Sequence, residues 1–227
     1  MAKSRRDAWW DLPLTFIISF GVVLLLTTFV ARPFSIPSGS MEDTLQVGDR
    51  VLVNKVTYRL RPIERGDVVV FDGTDSFVAA GAVPQRDPIT GALSWLGQSV
   101  GVVPPDSTDF VKRVIGIAGD HVVCCDDEGQ ITVNDVPLEE DSYIFPGDVP
   151  SDMNFDVIVA EGKLWVMGDH RSDSADSRYH LGDPGGGMVP QSRVVGRVMN
   201  VLWPLGRLQT IPIPETFAQI PAPNTAN

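Results

Sequence analysis

Three stretches of the chain hold side chains that could carry out nucleophilic chemistry. "FSIPSGSMEDTL" (34–45) sets Ser38 and Ser40 on either side of a glycine. A serine attacks a carbonyl only if a neighbouring group takes its proton. No histidine lies in this stretch, and it is not the Gly-x-Ser-x-Gly of a nucleophile elbow. "DFVKRVIGIAGD" (109–120) offers another base, because Lys112 sits among Val, Phe and Ile. Burial disfavours the ammonium form, by up to about 3–5 pKa units in full burial. A neutral lysine can accept a serine proton. "GDHRSDSADSR" (168–178) mixes Asp and Arg with His170 and three serines, directly after the apolar run "KLWVM". Such a loop could brace a site through Asp–Arg pairs while Ser174 contacts a lysine nitrogen.

Each stretch also has a plainer account. Residues 34–45 read equally as a Gly/Ser hinge, and Ser40-x-x-Asp43 as a helix cap. Lys112 could lie along a sheet edge with its head in water. Alternation places Lys112 and Val114 on one face and Val111 and Arg113 on the other, so one of the two adjacent cations points inward or reaches around. Residues 168–178 could be a solvated turn. They fail as a calcium loop, with Arg171 third, Ser174 sixth and His180 twelfth. Arg65-Gly66-Asp67 reads better as a turn leading into a strand than as an adhesion motif.

The elements that must position these residues are mostly strands. β-branched runs recur between turn signals: "RVLVNKVTY", "DVVVFD", "FVKRVIGI", "HVVCC", "QITVN", "KLWVMGD" and "SRVVGRVMNVLW". The expected fold is mainly β, an antiparallel sheet or barrel in which the first and last of these runs pair. Residues 73–108, rich in Gly, Pro and Ala, read as an inserted loop or hairpin within a domain spanning 32–209. Residues 210–227, with four prolines and little charge, read as a disordered tail.

Residues 12–31 carry no charge, and twenty residues at about 1.5 Å each match a hydrocarbon core of about 30 Å. Lys3, Arg5 and Arg6 precede this run, and Trp9 and Trp10 stand at its edge. The positive-inside rule then predicts a cytoplasmic tail (1–11), a single transmembrane helix (12–31) and an extracytoplasmic domain. The run is longer than a cleaved leader's apolar region, and Phe29 stands where cleavage after Ala31 wants a small residue. A net charge of −11 argues against nucleic-acid binding. Adjacent Cys124 and Cys125 cannot staple distant parts of the chain, and they read as two small strand residues or a vicinal disulfide.

Taken together, "SGSM-x-x-TL", "RGDVVVF", "KRVIG-x-x-GD" and "GD-x-R-x-x-SADSR" occur in this order after an apolar N-terminal run. "MVPQSRVVGRV" follows them. The pattern resembles type I signal peptidase, a membrane-anchored serine–lysine endopeptidase, over residues 32–208 and the anchor. The resemblance implies Ser40 as nucleophile and Lys112 as general base. It further implies an oxyanion hole of the Ser38 hydroxyl and the Ser40 N–H, Ser174 hydrogen-bonding the lysine, and Asp169, Asp176 and Arg178 bracing the site. Phe34, Ile36, Met41, Leu45, Val70, Phe110 and Val111 would line apolar pockets for small side chains before the cut, of the Ala-x-Ala type. Implied partners are signal peptides of exported preproteins and the lipid bilayer, with no cofactor and no metal. Asp43 departs from the pattern, which commonly has proline there. Three other readings carry less of the pattern: a self-cleaving repressor-type serine–lysine peptidase, a non-enzymatic anchored β-domain, and a Ser-His-Asp hydrolase using His121, His170 or His180.

Overall fold

The computed structural model describes residues 7–78, 108–183 and 185–223. Most of the expected insertion at 73–108 therefore lies outside the described residues. A helix, α1 (Asp7–Phe29), opens the chain and runs 23 residues. Each of its described side chains, at positions 12–23, is exposed. Among the described residues no helix is long and apolar enough to cross a membrane. The expected span at 12–31 differs at its C-terminal end, because Ala31 already belongs to strand β1 and pairs with Asn54.

The domain that follows is built of antiparallel strands. They are β1 (Ala31–Ser35), β2 (Arg50–Asn54), β3 (Val68–Asp72), β4 (Asp109–Ile117), β5 (His121–Cys124), β6 (Ile131–Val133), β7 (Val136–Pro137), β8 (Phe155–Ile158), β9 (Lys163–Met167), β10 (Val189–Pro190), β11 (Val194–Trp203) and β12 (Gln209–Thr210). A short helix, α2 (Thr57–Leu60), follows β2. The larger sheet runs β1-β2-β11-β3-β4-β9-β10, with β12 on β11, and the smaller runs β7-β6-β5-β8. The first and last expected strands do pair, β2 with β11, through Arg197 opposite Asn54. The larger sheet stays open between β1 and β10 among the described residues.

The strands with the most continuous β-branched runs lie at the centre of the larger sheet. Val68, Val69, Val70 and Phe71 of β3 are all buried, as expected for a strand covered on both faces. β4 beside it aligns Val69 with Lys112 and Val68 with Arg113, and β9 aligns Met167 with Arg113. Arg65-Gly66-Asp67 is indeed a turn into β3. Gly66 has φ +84°, and a Cβ there would meet Phe217 at 2.7 Å. Arg65 pairs with Asp120, and Asp67 with Arg61.

One sequence expectation is corrected, and one open alternative is decided. The tail is not disordered through 210–223, because Ile211, Phe217 and Ile220 are buried. Phe217 stacks on Tyr143 at 5.9 Å, and Arg65 donates to the carbonyls of Ile220 and Pro221. Low charge and four prolines here mark a strap, with a 3-10 turn at Glu215–Gln219, held by three apolar anchors. Cys124 and Cys125 form a disulfide with each other, at the end of β5.

Candidate active site

The loop that carries Ser40 hangs between β1 and β2, and its own apolar residues fix it. Ile36, Met41 and Leu45 are buried, and they pack in one cluster with Phe34, Val70 and Val111. Turn bonds from Glu42 N–H to the Gly39 carbonyl (2.9 Å) and from Leu45 N–H to the Met41 carbonyl (2.7 Å) shape the segment. Ser40 thus stands at the rim of a packed loop, itself only 7% exposed. Ser38, two residues earlier, is exposed. The hinge reading of 34–45 does not describe this segment, because buried anchors at Phe34, Ile36, Met41 and Leu45 pin it at intervals.

β4 brings Lys112 to the serine. Its Nζ lies 2.6 Å from Ser40 Oγ, and the side chain is almost wholly buried. Burial pushes the Lys112 amine down to about 8, against the opposing pull of Asp176 and Asp169. Hydrogen-bond reach together with a lowered pKa is what a general base needs. The edge-strand account of Lys112 fails, because β4 is central and both adjacent cations are buried. Arg113 turns to Asp169, with Nε donating to Oδ1 at 2.8 Å and Nη2 to Oδ2 at 2.6 Å.

The loop after β9 packs against Ser40. At Gly168 a Cβ would lie 2.3 Å from Ser174 Oγ and 2.4 Å from the Ser40 carbonyl oxygen, so only glycine lets the two segments meet. His170 N–H donates to that same carbonyl at 3.2 Å. Asp176 organises the loop, accepting from Gly168 N–H (2.9 Å), Ser174 Oγ (2.7 Å) and Arg178 Nε (2.9 Å).

Ser40, Lys112, Ser174, Asp169, Asp176 and Arg178 therefore converge, but with some different partners. The Ser174 hydroxyl donates to Asp176. Asp169 pairs with Arg113, while Arg178 pairs with Asp176. Six of the seven expected pocket residues share one buried cluster beneath the nucleophile loop. Phe110 does not join them. It stacks on Phe71 (5.8 Å) and packs against the cluster of Val69 and Val114. Strand alternation sends its ring to the other side of the sheet from Val111.

Several bracing residues escaped the sequence reading. Thr44 Oγ1 donates to Asp169 at 2.5 Å, and Arg171 forks onto Glu140 at 2.9 and 2.6 Å. The Arg113 guanidinium lies 4.5 Å from the Tyr143 ring centre. Adjacency to Lys112 in an apolar strand was the available signal for Arg113. Nothing local marked Glu140 or Tyr143. None of the three histidine rings contacts Ser40 Oγ: His121 bonds Asp156, His180 bonds Asp183, and the His170 ring faces the Gly39 carbonyl.

The family model "Signal peptidase, peptidase S26" matches residues 9–203. This chain belongs to the signal peptidase family. A "Probable signal peptidase I" of Mycobacterium leprae is 41% identical over 235 residues, covering 89% of this chain and 79% of that protein. A "Signal peptidase I" of Mycobacterium tuberculosis is 37% identical over 226 residues, covering 90% and 76%. A solved signal peptidase I of Enterococcus faecalis is similar at 22% identity and a TM-score of 0.38, over 61% of this chain and 97% of that one. As a signal peptidase of the S26 group, the chain is a peptide-bond hydrolase.

Proposed function

We propose that this signal peptidase cuts exported preproteins by a Ser40–Lys112 dyad at the membrane surface. The 2.6 Å contact between Lys112 Nζ and Ser40 Oγ, with the amine lowered to about 8, carries this reading. Neutral Lys112 accepts the Ser40 hydroxyl proton as Oγ bonds to the scissile carbonyl carbon. The carbonyl oxygen becomes an oxyanion, held by Ser40 N–H and the Ser38 hydroxyl. One such donor is worth about 10²–10³ in rate. Collapse breaks the C–N bond, and the Lys112 ammonium passes its proton to the leaving amine. Water then attacks the acyl ester, gives its proton to Lys112, and Ser40 is restored.

Asp176 holds the Ser174 hydroxyl and Gly168 N–H, which fixes the loop against the Ser40 carbonyl. Asp169 fixes Arg113 and Thr44. The buried cluster of Phe34, Ile36, Met41, Leu45, Val70 and Val111 forms the floor under small substrate side chains. The substrate binds extended, presenting small residues of the Ala-x-Ala type.

The bilayer is the second partner. At about 1.5 Å per residue, α1 is about 35 Å long, and Leu12, Phe16 and Ile17 stand 74%, 78% and 69% exposed. Exposed Val47, Trp203, Leu205 and Leu208 add an apolar patch around the Arg207–Asp49 pair. The N-terminus is cytoplasmic and the β-domain extracytoplasmic.

Mapping the cut by mass spectrometry tests the substrate rule. The full chain in detergent should cleave an Ala-x-Ala preprotein at one bond, and lose that cut when the final Ala becomes Leu. Equal cleavage of both substrates contradicts the small-residue rule.

A further inference from the structure

We infer that His170 is a positioning residue that sets the direction of the Ser40 N–H, the backbone donor of the oxyanion hole. The inference rests on the serine–lysine reading given above. His170 follows Asp169 in the loop after β9 and touches the nucleophile loop twice. Its backbone N–H donates to the Ser40 carbonyl at 3.2 Å, and its ring Nδ1 lies 3.3 Å from the Gly39 carbonyl oxygen. One residue therefore grips the carbonyls of the peptide groups on both sides of the nucleophile.

Planarity makes this grip consequential. The Gly39 carbonyl and the Ser40 N–H belong to a single peptide group. In a trans peptide they point in opposite directions and cannot turn independently. Holding the Gly39 oxygen therefore aims the Ser40 N–H away from His170, toward the side where an oxyanion would form. Glycine at 39 is soft in φ and ψ, so this plane is the one in the loop least fixed by its own sequence. The Glu42 N–H also bonds the Gly39 oxygen, at 2.9 Å. In the tautomer that carries its proton on Nδ1, His170 supplies the second donor, which fills the carbonyl's other lone pair.

The imidazole is itself held in place. Phe145 stacks on it at 4.0 Å with planes 15° apart, and Phe145 N–H donates to the Asp169 carbonyl at 3.0 Å. Glu42 Oε2 lies 3.7 Å from the same Nδ1. The ring is only 17% exposed. A histidine serving as a proton shuttle would face the serine or the lysine. This one faces a backbone oxygen behind them.

Two substitutions separate the hydrogen bond from the packing. His170→Phe keeps a ring against Phe145 but removes the donor. His170→Asn places an amide Nδ2 at the same remove from Cα as imidazole Nδ1. In preprotein cleavage by the full chain, His170→Phe should lower kcat about tenfold with KM within about twofold, and His170→Asn should recover most of the loss. A peptide aldehyde, whose serine adduct places its oxygen in the hole, should lose affinity for His170→Phe in step with kcat. The matching peptide alcohol should not. Wild-type kcat in His170→Phe overturns the inference alone. So does a loss that His170→Asn shares equally, or one that tracks a fall in Tm while aldehyde affinity is kept. Absence of cleavage by the wild type, or cleavage by Ser40→Ala, overturns the underlying reading.

Discussion

Lys112 owes its lowered pKa to where β4 places it. Burial is the largest influence on the amine and lowers it, while Asp176 and Asp169 resist. The folded pKa, about 8, lies below an ordinary lysine's 10.5. Below about pH 8 the amine is charged and cannot accept the serine proton, so kcat/KM should climb about tenfold per pH unit and level off above about 8. A pH–rate profile that is flat from 6 to 9 contradicts this. The stability effect has the opposite sense to a stabilising ion pair. Folding disfavours the ammonium, and that cost is full below about pH 8 and fades as pH rises toward 10.5. Lys112→Met should therefore melt a few degrees above wild type at pH 7, with the gap closing at high pH. At this scale the sequence was highly legible. Ser40, Lys112 and Ser174 are close, and a lysine inside an apolar strand left a buried amine and a sheet-edge cation both open until β4 proved central. Hydrogen-bond partners were less legible, because Ser174 could turn either to Lys112 or to Asp176, and the competition is settled by geometry that spacing does not encode.

At the scale of elements, β4 carries two cations to two different tasks. Lys112 meets the nucleophile loop, and Arg113 ties that loop to β9 through Thr44 and Asp169. The Arg113–Asp169 pair is almost wholly buried, at 2% and 1% side-chain exposure. Arg113→Leu would strand the Asp169 carboxylate with little more than the Thr44 hydroxyl. We expect about 3–5 kcal/mol of lost stability by urea denaturation, with cleavage lost as the loop shifts. A change under about 1 kcal/mol would show that the pair does not hold the loop. Strand identities were readable here because Val-rich runs between turns have few alternatives. Phe110 was misplaced for the converse reason: its pocket role followed the family pattern, while alternation along β4 turns its ring to Phe71 and Phe77. Asp43 has gained a location but no explanation, being exposed beside Thr44.

At the scale of the whole molecule, the chain's last segment straps the two sheets' cores. Phe217 packs with Trp165, Tyr143 and Leu138, far from it in sequence. Phe217→Ala should cost about 3–5 kcal/mol in thermal or chemical denaturation, whereas a disordered tail would give no change. Composition misled here because prolines and few charges describe a pinned strap as well as a loose end, and three apolar anchors among eighteen residues are too sparse for a periodic signal. The bilayer end has its own test. Deleting residues 1–30 should abolish flotation with anionic vesicles while leaving cleavage of a short soluble peptide. Retained flotation would shift the membrane contact to the Trp203 patch.

The dyad is the claim on which the other roles depend, and a preprotein-cleavage assay on Ser40→Ala and Lys112→Ala, each compared with wild type at pH 8.5, about half a unit above the lysine's lowered pKa, tests it most directly. If the dyad acts, both variants lose cleavage by at least about 10³-fold while keeping their fold by circular dichroism. Near-normal turnover in either one would contradict it.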